Sequence, residues 1–201
     1  MKIAVIGATG MIGSRAVAEA ARRGHTVDAY SRSGRLPEVA TEAFSLDTAD
    51  TQKTVDVIAD HDFTILTVVN GRTGDFATDI ENHRALIAAR PRGRFLVVGG
   101  AGALQADEHT MLKDTEGFPA EYKIEADSFA QIYLDYVDSE GLEWSMLAPA
   151  PVIAPGERTG QYTVALDVPA GDSVSAEDFA VALIDEAEMN EHTGKRFTVA
   201  N

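Results

Sequence analysis

The chain has 201 residues, enough for one domain with a sizeable core, and its 45% hydrophobic and 24% charged content is ordinary for a globular protein. With no cysteine, disulfides, thiolate metal sites and cysteine nucleophiles are excluded. The net charge of -15 argues against direct nucleic-acid binding. No apolar run is long enough to cross a bilayer, and the chain opens on a strand-like stretch with no signal-peptide cleavage pattern. The expectation is a cytoplasmic protein that does not engage a membrane.

The charge is unevenly spread. Residues 1–35 carry Lys2, Arg15, Arg22, Arg23, Arg32 and Arg35 against only Glu19 and Asp28. A basic unit in an acidic chain suits a local anionic ligand, although Arg22 and Arg23 read as partners of a helix C-terminus.

In chain order, the strand expectations are 3–6, 27–30, 43–46, 63–69, 94–98 and 143–147, and helices are expected at 11–23, 51–59, 78–89 and 124–140. Strands separated by helices in this way pair in parallel through right-handed crossovers. The run 63–69 is nearly all apolar and rich in β-branched residues, as a strand buried on both faces should be. The fold class is therefore α/β, a doubly wound parallel sheet of the Rossmann type with helices on both faces. After Pro149, Pro151 and Pro155 the rhythm changes to a strand at 161–166, a helix at 176–189 with Ser175 as N-cap, and a last strand at 196–200. One domain, 1–201, is expected, with a core over 1–148 and a small integrated cap over 149–201.

Gly7-Ala8-Thr9-Gly10-Met11-Ile12-Gly13 follows a strand and opens a helix. In that context Gly7 permits the tight turn, Gly10 lets the backbone approach a pyrophosphate, and Gly13 lets the helix pack on the strand. The backbone from Thr9 through Met11 and Ile12 then offers free N–H groups and a partial positive charge to the phosphates of a dinucleotide. Gly24 ends that helix as a C′ residue.

The second strand bears on the choice of dinucleotide. Sites for NAD usually place a carboxylate at its C-terminal end. Here that end reads Tyr30-Ser31-Arg32-Ser33-Gly34-Arg35, and Asp28 falls mid-strand. Two guanidinium groups and two hydroxyls suit a 2′-phosphate, so NADP(H) is expected over NAD(H). Arg35 also reads as a plain exposed loop cation. Further strand ends complete the pocket: Leu46 and Asp47 near the adenine, Val68, Val69 and Asn70 near the inner ribose and nicotinamide, and Gly99, Gly100, Ala101 and Gly102 leaving room for a flat ring.

Gly7-xx-Gly10-xx-Gly13, Tyr30-Ser31-Arg32 and Val97-Val98-Gly99-Gly100-Ala101-Gly102 resemble the atypical short-chain dehydrogenase/reductases. More narrowly, the chain is similar to the group named NADH-flavin reductases, related to biliverdin reductase B and to NmrA-like proteins. Pro155-Gly156-Glu157-Arg158-Thr159-Gly160, Tyr162-Thr163-Val164 and the ending Arg196-Phe197-Thr198-Val199 carry that narrower likeness. The resemblance implies an NAD(P)H-dependent reductase of flavins, with FMN or FAD as substrate, or of related conjugated rings.

The wider superfamily reduces ketones with Tyr-xxx-Lys. Lys123 stands at a suitable distance, but the position four residues earlier is Pro119, and Tyr122 is adjacent to the lysine. The missing pair argues against carbonyl chemistry. Hydride transfer to a stacked ring needs mainly positioning, and its proton can come from solvent. Lys123 remains a candidate for the nicotinamide ribose, and Tyr122 either lines the substrate ring or covers the loop surface. Pro149 and Ala150 are expected in the pocket wall. Arg158 either holds a flavin phosphate or substrate carboxylate, or pairs with a neighbouring acid. The five histidines show no ligand spacing, so no metal is expected. Two readings stand: a reductase of a small conjugated acceptor, or a non-catalytic NADP(H)-binding redox sensor. Open glycines at the nicotinamide end favour the first. A homodimer is compatible with either.

Overall fold

The computed structural model describes residues 1–35, 37, 39–69 and 75–201. Strand β1 (Lys2–Ile6) shows why the sheet is buried on both faces. Ile3 and Val5 join one apolar core with Ala16, Val17 and Ala20 of helix α1 (Met11–Arg22), whereas Ala4 and Ile6 join a second core on the opposite face. The chain continues through β2 (Thr26–Ser31), β3 (Glu42–Ser45), α2 (Thr51–Ala59), β4 (Phe63–Leu66), α3 (Phe76–Ala89) and β5 (Arg94–Val98). Three short 3-10 turns, Ala101–Ala103, Leu112–Asp114 and Ala120–Tyr122, lead into α4 (Lys123–Val137). Then come β6 (Glu143–Pro149), β7 (Val152–Ala154), β8 (Thr163–Leu166), β9 (Ser173–Ser175), α5 (Ala176–Met189) and β10 (Arg196–Ala200).

Among the described residues the main sheet has eight strands in the order β3-β2-β1-β4-β5-β6-β10-β8, parallel except for β8, and β7 pairs with β9 in a separate two-stranded sheet. This is the expected Rossmann-like arrangement. Helices α1 and α5 cover one face, and α2, α3 and α4 cover the other. Strand order reverses between β1 and β4, which opens a crevice at their C-terminal ends.

The helices start where side-chain acceptors meet free N–H groups: Asp50 accepts from Lys53 N, Asp75 from Thr78 N, and Ser175 from Asp178 N. Helix α1 differs. Its N-cap is Gly10, with no capping side chain and no acid in the first turn.

The C-terminal tail widens the sheet rather than standing apart from it. β10 lies between β6 and β8, and α5 completes the layer begun by α1. The basic surplus of the first 35 residues is largely spent here. Arg15 pairs with Glu177 at 2.6 Å, and Arg23 with Asp185 and Glu188 at 2.7 Å each. β7 and β9 were not foreseen: each is three residues long and forms only because the other is present.

Candidate functional site

Gly7 turns the chain out of β1 at φ +92°, a left-handed conformation suited to glycine, and its N–H donates to Tyr30 O at 2.9 Å. A Cβ there would collide with Thr67 Oγ1, which itself donates to Ile6 O and Gly7 O. A Cβ at Gly13 would stand 2.7 Å from the Gly7 carbonyl carbon, so this glycine seats the helix on the turn. Gly10 differs. Among the described residues, only Gly7 O, at 3.3 Å, stands near the space its Cβ would take. The loop is thus closed by protein at Gly7 and Gly13 and left open at Gly10, at the uncapped N-terminus of α1. That arrangement fits a pyrophosphate.

A cleft of about 200 Å³ opens there, lined by Gly7, Thr9, Gly10, Ser31, Arg32, Leu46, Asp47, Thr48, Thr67, Val68 and Val69. Nine of these are residues the sequence placed at a cofactor. Thr48 and Thr67 were missed, although each adjoins one that was named. Met11, Ile12 and Gly13 form the first helical turn behind the cleft rather than its wall. Val68 and Val69 lie beyond β4, which ends at Leu66, because the hydrogen bonds of Thr67 turn the chain toward Gly7. Asn70 lies outside the described residues.

Ser31 to Gly34 form a tight turn, with Gly34 N–H donating to Ser31 O at 3.2 Å and Gly34 at φ +63°. Ser45 Oγ donates to Arg32 O at 3.0 Å and fixes the turn against β3. The turn presents Arg32 at the cleft, with Ser33 and Arg35 exposed beside it. Among the described residues, neither Arg32 nor Arg35 takes an acidic partner within ion-pair distance. Asp28 is mid-strand as expected, buried against His61 Nε2 at 3.1 Å and Lys2 Nζ at 3.2 Å, away from this turn. Asp47 Oδ1 accepts from Ala49 N at 3.0 Å. Behind Thr48 and Val68 lies a smaller cavity that includes Asn82 and His83. Burial holds the His83 imidazole down to about 4, and its Nδ1 lies 3.0 Å from the Tyr136 hydroxyl.

The far end differs from the sequence expectation. A Cβ at Gly100 would stand 2.8 Å from Phe129 Cγ, and one at Gly102 would stand 2.6 Å from Ala126 Cβ and 2.9 Å from Phe118 Cζ. These glycines therefore admit the protein's own α4 and Phe118; the room attributed to a flat ring is filled. Gly99 packs on Met146, and Ala101 opens the short turn that follows. Pro149 is half-buried at the end of β6, but Ala150 is fully buried in the α1/α5 core and offers no surface to a ligand.

Lys123 Nζ donates to Lys113 O at 2.9 Å and to Asp114 Oδ1 at 2.7 Å. Lys113 bridges Asp114 and Asp127 beside it, so a ring of alternating charge ties α4 to the preceding loop. Tyr122 is 57% exposed.

Arg158 takes the structural alternative. Its guanidinium grips Glu19 at 2.8 and 2.9 Å, and Glu19 also accepts from Arg22 and Arg23. Burial by itself would raise the Glu19 pKa, but hydrogen bonds from Arg158, Arg22 and Arg23 hold it well below the usual carboxylate range. The next residues are held by fully buried Asp178, which accepts from Thr159 N at 2.9 Å and Gly160 N at 2.7 Å. The Pro-Gly-Glu-Arg-Thr-Gly stretch is a staple between the tail and α1. Among the described residues there is no cluster of metal-ligating side chains, and no helix is long and apolar enough to cross a membrane.

Comparison with known proteins agrees with this geometry. A family model described as NAD(P)H-binding matches residues 7–190. The uncharacterized protein YwnB of Bacillus subtilis (strain 168) is 36% identical over 216 residues, covering 100% of this chain and 99% of that protein. A provisionally named NADH-flavin reductase from Streptococcus pneumoniae TIGR4 superposes with a TM-score of 0.92 at 31% identity, covering 100% of this chain and 99% of the other. A provisionally named exported protein from Burkholderia pseudomallei gives a TM-score of 0.89 at 35% identity, with 100% of both chains covered.

Proposed function

Since the chain belongs to this NAD(P)H-binding family, we propose that it is a reductase that uses NADPH to reduce a small conjugated ring such as a flavin or a quinone. The observation that carries the cofactor half is the pair Arg32 and Arg35. Arg15, Arg22 and Arg23 are neutralised by acids, whereas Arg32 lines the cleft and Arg35 is exposed three residues on, both without an acidic partner among the described residues. A 2′-phosphate supplies the charge they lack. In this reading the N–H groups at the start of α1 hold the pyrophosphate, and Leu46, Asp47 and Thr48 border the adenine. When bound, the nicotinamide supplies a hydride.

The acceptor half rests on what the chain lacks for ketone chemistry, since Pro119 stands where the superfamily's tyrosine would be. The flavin-reductase name of the Streptococcus pneumoniae relative supports the same acceptor class. The protein's own work is then to position two rings and exclude water from one face.

The sensor reading keeps a specific observation of its own. Gly100 and Gly102 accommodate Phe129 and Phe118, so they give no support to an open ring site, and Lys123 is already tied to Asp114. The separating experiment is NADPH oxidation by purified protein with FMN, FAD and a quinone offered in turn. Turnover with at least one supports the reductase; tight NADPH binding without turnover of any selects the sensor.

A further inference from the structure

The two edges of the main sheet are unlike. β3 leads into the cofactor cleft, whereas β8 lies at the opposite edge and pairs only with β10. Among the described residues, Thr163–Leu166 makes no backbone hydrogen bond beyond that pairing, so its outer row of N–H and C=O groups is unspent. Exposed edges are usually protected by charge, proline or a bulge. The stretch 159–166 contains no charged residue and no proline, in a chain of net charge -15. Asp167, the next residue, turns away from the edge to pair with the buried Arg196 at 2.7 Å.

The side chains point the same way. Val164 and Leu166 stand opposite Val199 and Phe197, and therefore share the face that α5 covers over β10. α5 leaves this part of the face largely uncovered: Val164 is 50% exposed and Leu166 54%. We propose that β8 pairs antiparallel with β8 of a second copy, joining the two main sheets into one. A two-fold axis normal to the sheet, through Ala165, keeps both α5 layers on the same side. It sets Val164 of one protomer opposite Leu166 of the partner subunit, twice over. The strand is thus complementary to itself in hydrogen bonding, in apolar side chains and in charge. Over most of their remaining surface two such acidic copies repel, which leaves this neutral edge as the place where they meet.

The test is the sedimentation-derived mass of the full chain over a protein concentration series. The wild type should double in mass as concentration rises. Leu166→Lys and Val164→Lys should each remain at the single-chain mass throughout, with wild-type melting curves and NADPH affinity. Amide exchange at 163–166 should slow in the wild type as the dimer forms, a readout that needs no variant. A wild type that stays monomeric overturns the proposal. So does a dimer that survives both lysines, or one that is lost instead in Leu134→Lys on the exposed side of α4.

Discussion

Gly10 and Gly13 lie three residues apart in one loop, and their replacement by alanine should do opposite things. At Gly10 the backbone is extended at φ -76°, which alanine adopts freely, and the nearest atom to the new Cβ is Gly7 O at 3.3 Å. Alanine loses less entropy on folding than glycine but is a poorer N-cap, so the stability change should stay within about 1 kcal/mol. The methyl group stands at the uncapped helix N-terminus, so NADPH affinity should fall by at least about tenfold, or 1.4 kcal/mol. At Gly13 the Cβ would press on the Gly7 backbone, 2.7 Å from its carbonyl carbon, with Thr67 Oγ1 at 2.9 Å. The first neighbour is backbone and the Thr67 hydroxyl is held by Ile6 O and Gly7 O, so an overpacking cost of about 3 kcal/mol is expected. For a chain of this size that lowers Tm by roughly 6–12 °C. Thermal unfolding followed by circular dichroism, with calorimetric titration of NADPH, reads both effects. Wild-type NADPH affinity in Gly10→Ala, or a wild-type melting curve in Gly13→Ala, would refute the assignment of roles within the loop.

Glu19→Gln removes the carboxylate that gathers Arg22, Arg23 and Arg158. Arg22 and Arg158 are partly solvated and count for little, while Arg23 keeps Asp185 and Glu188, so about 2–3 kcal/mol should be lost in urea unfolding. The folded pKa of Glu19 is depressed, so its contribution is complete above the ordinary glutamate value of 4.5 and shrinks as pH falls below it; the gap between wild type and Glu19→Gln should narrow there. A gap that is unchanged at low pH would contradict the charge reading. Thr64 and Thr198 are fully buried with hydroxyls that find no hydrogen-bond partner among the described residues. Valine fills the same space without an unpaired oxygen, so each Thr→Val change should stabilise by about 1 kcal/mol, measured by the same unfolding titration.

Much of this was legible because periodicity and turn chemistry are local. The glycine loop, the parallel pairing implied by alternating strands and helices, and the mid-strand place of Asp28 follow from residues close in sequence. What escaped depends on distant partners. Gly100 and Gly102 read as room for a ligand because nothing local shows that Phe129 and Phe118 fill that room. Arg158 read equally well as a ligand clamp or a loop anchor, and only the fold brings Glu19, 139 residues away, against it. The same holds for Ala150, a small apolar residue after a proline, whose burial follows from the packing of α1 and α5. Arg158, Thr159 and Gly160, among the tail residues that carried the resemblance, fasten the tail to α1 and α5.

On the proposed reading, the cleft at Gly7, Gly10 and Arg32 holds a dinucleotide carrying a 2′-phosphate. Its most direct measurement is calorimetric titration of wild type and Arg32→Ala with NADPH and with NADH. Wild type should bind NADPH more tightly. Arg32→Ala should lose about 30-fold in NADPH affinity, equivalent to about 2 kcal/mol for a charge-assisted contact, with NADH changed by less than about threefold. Equal losses for the two dinucleotides, or tighter binding of NADH by the wild type, would contradict it.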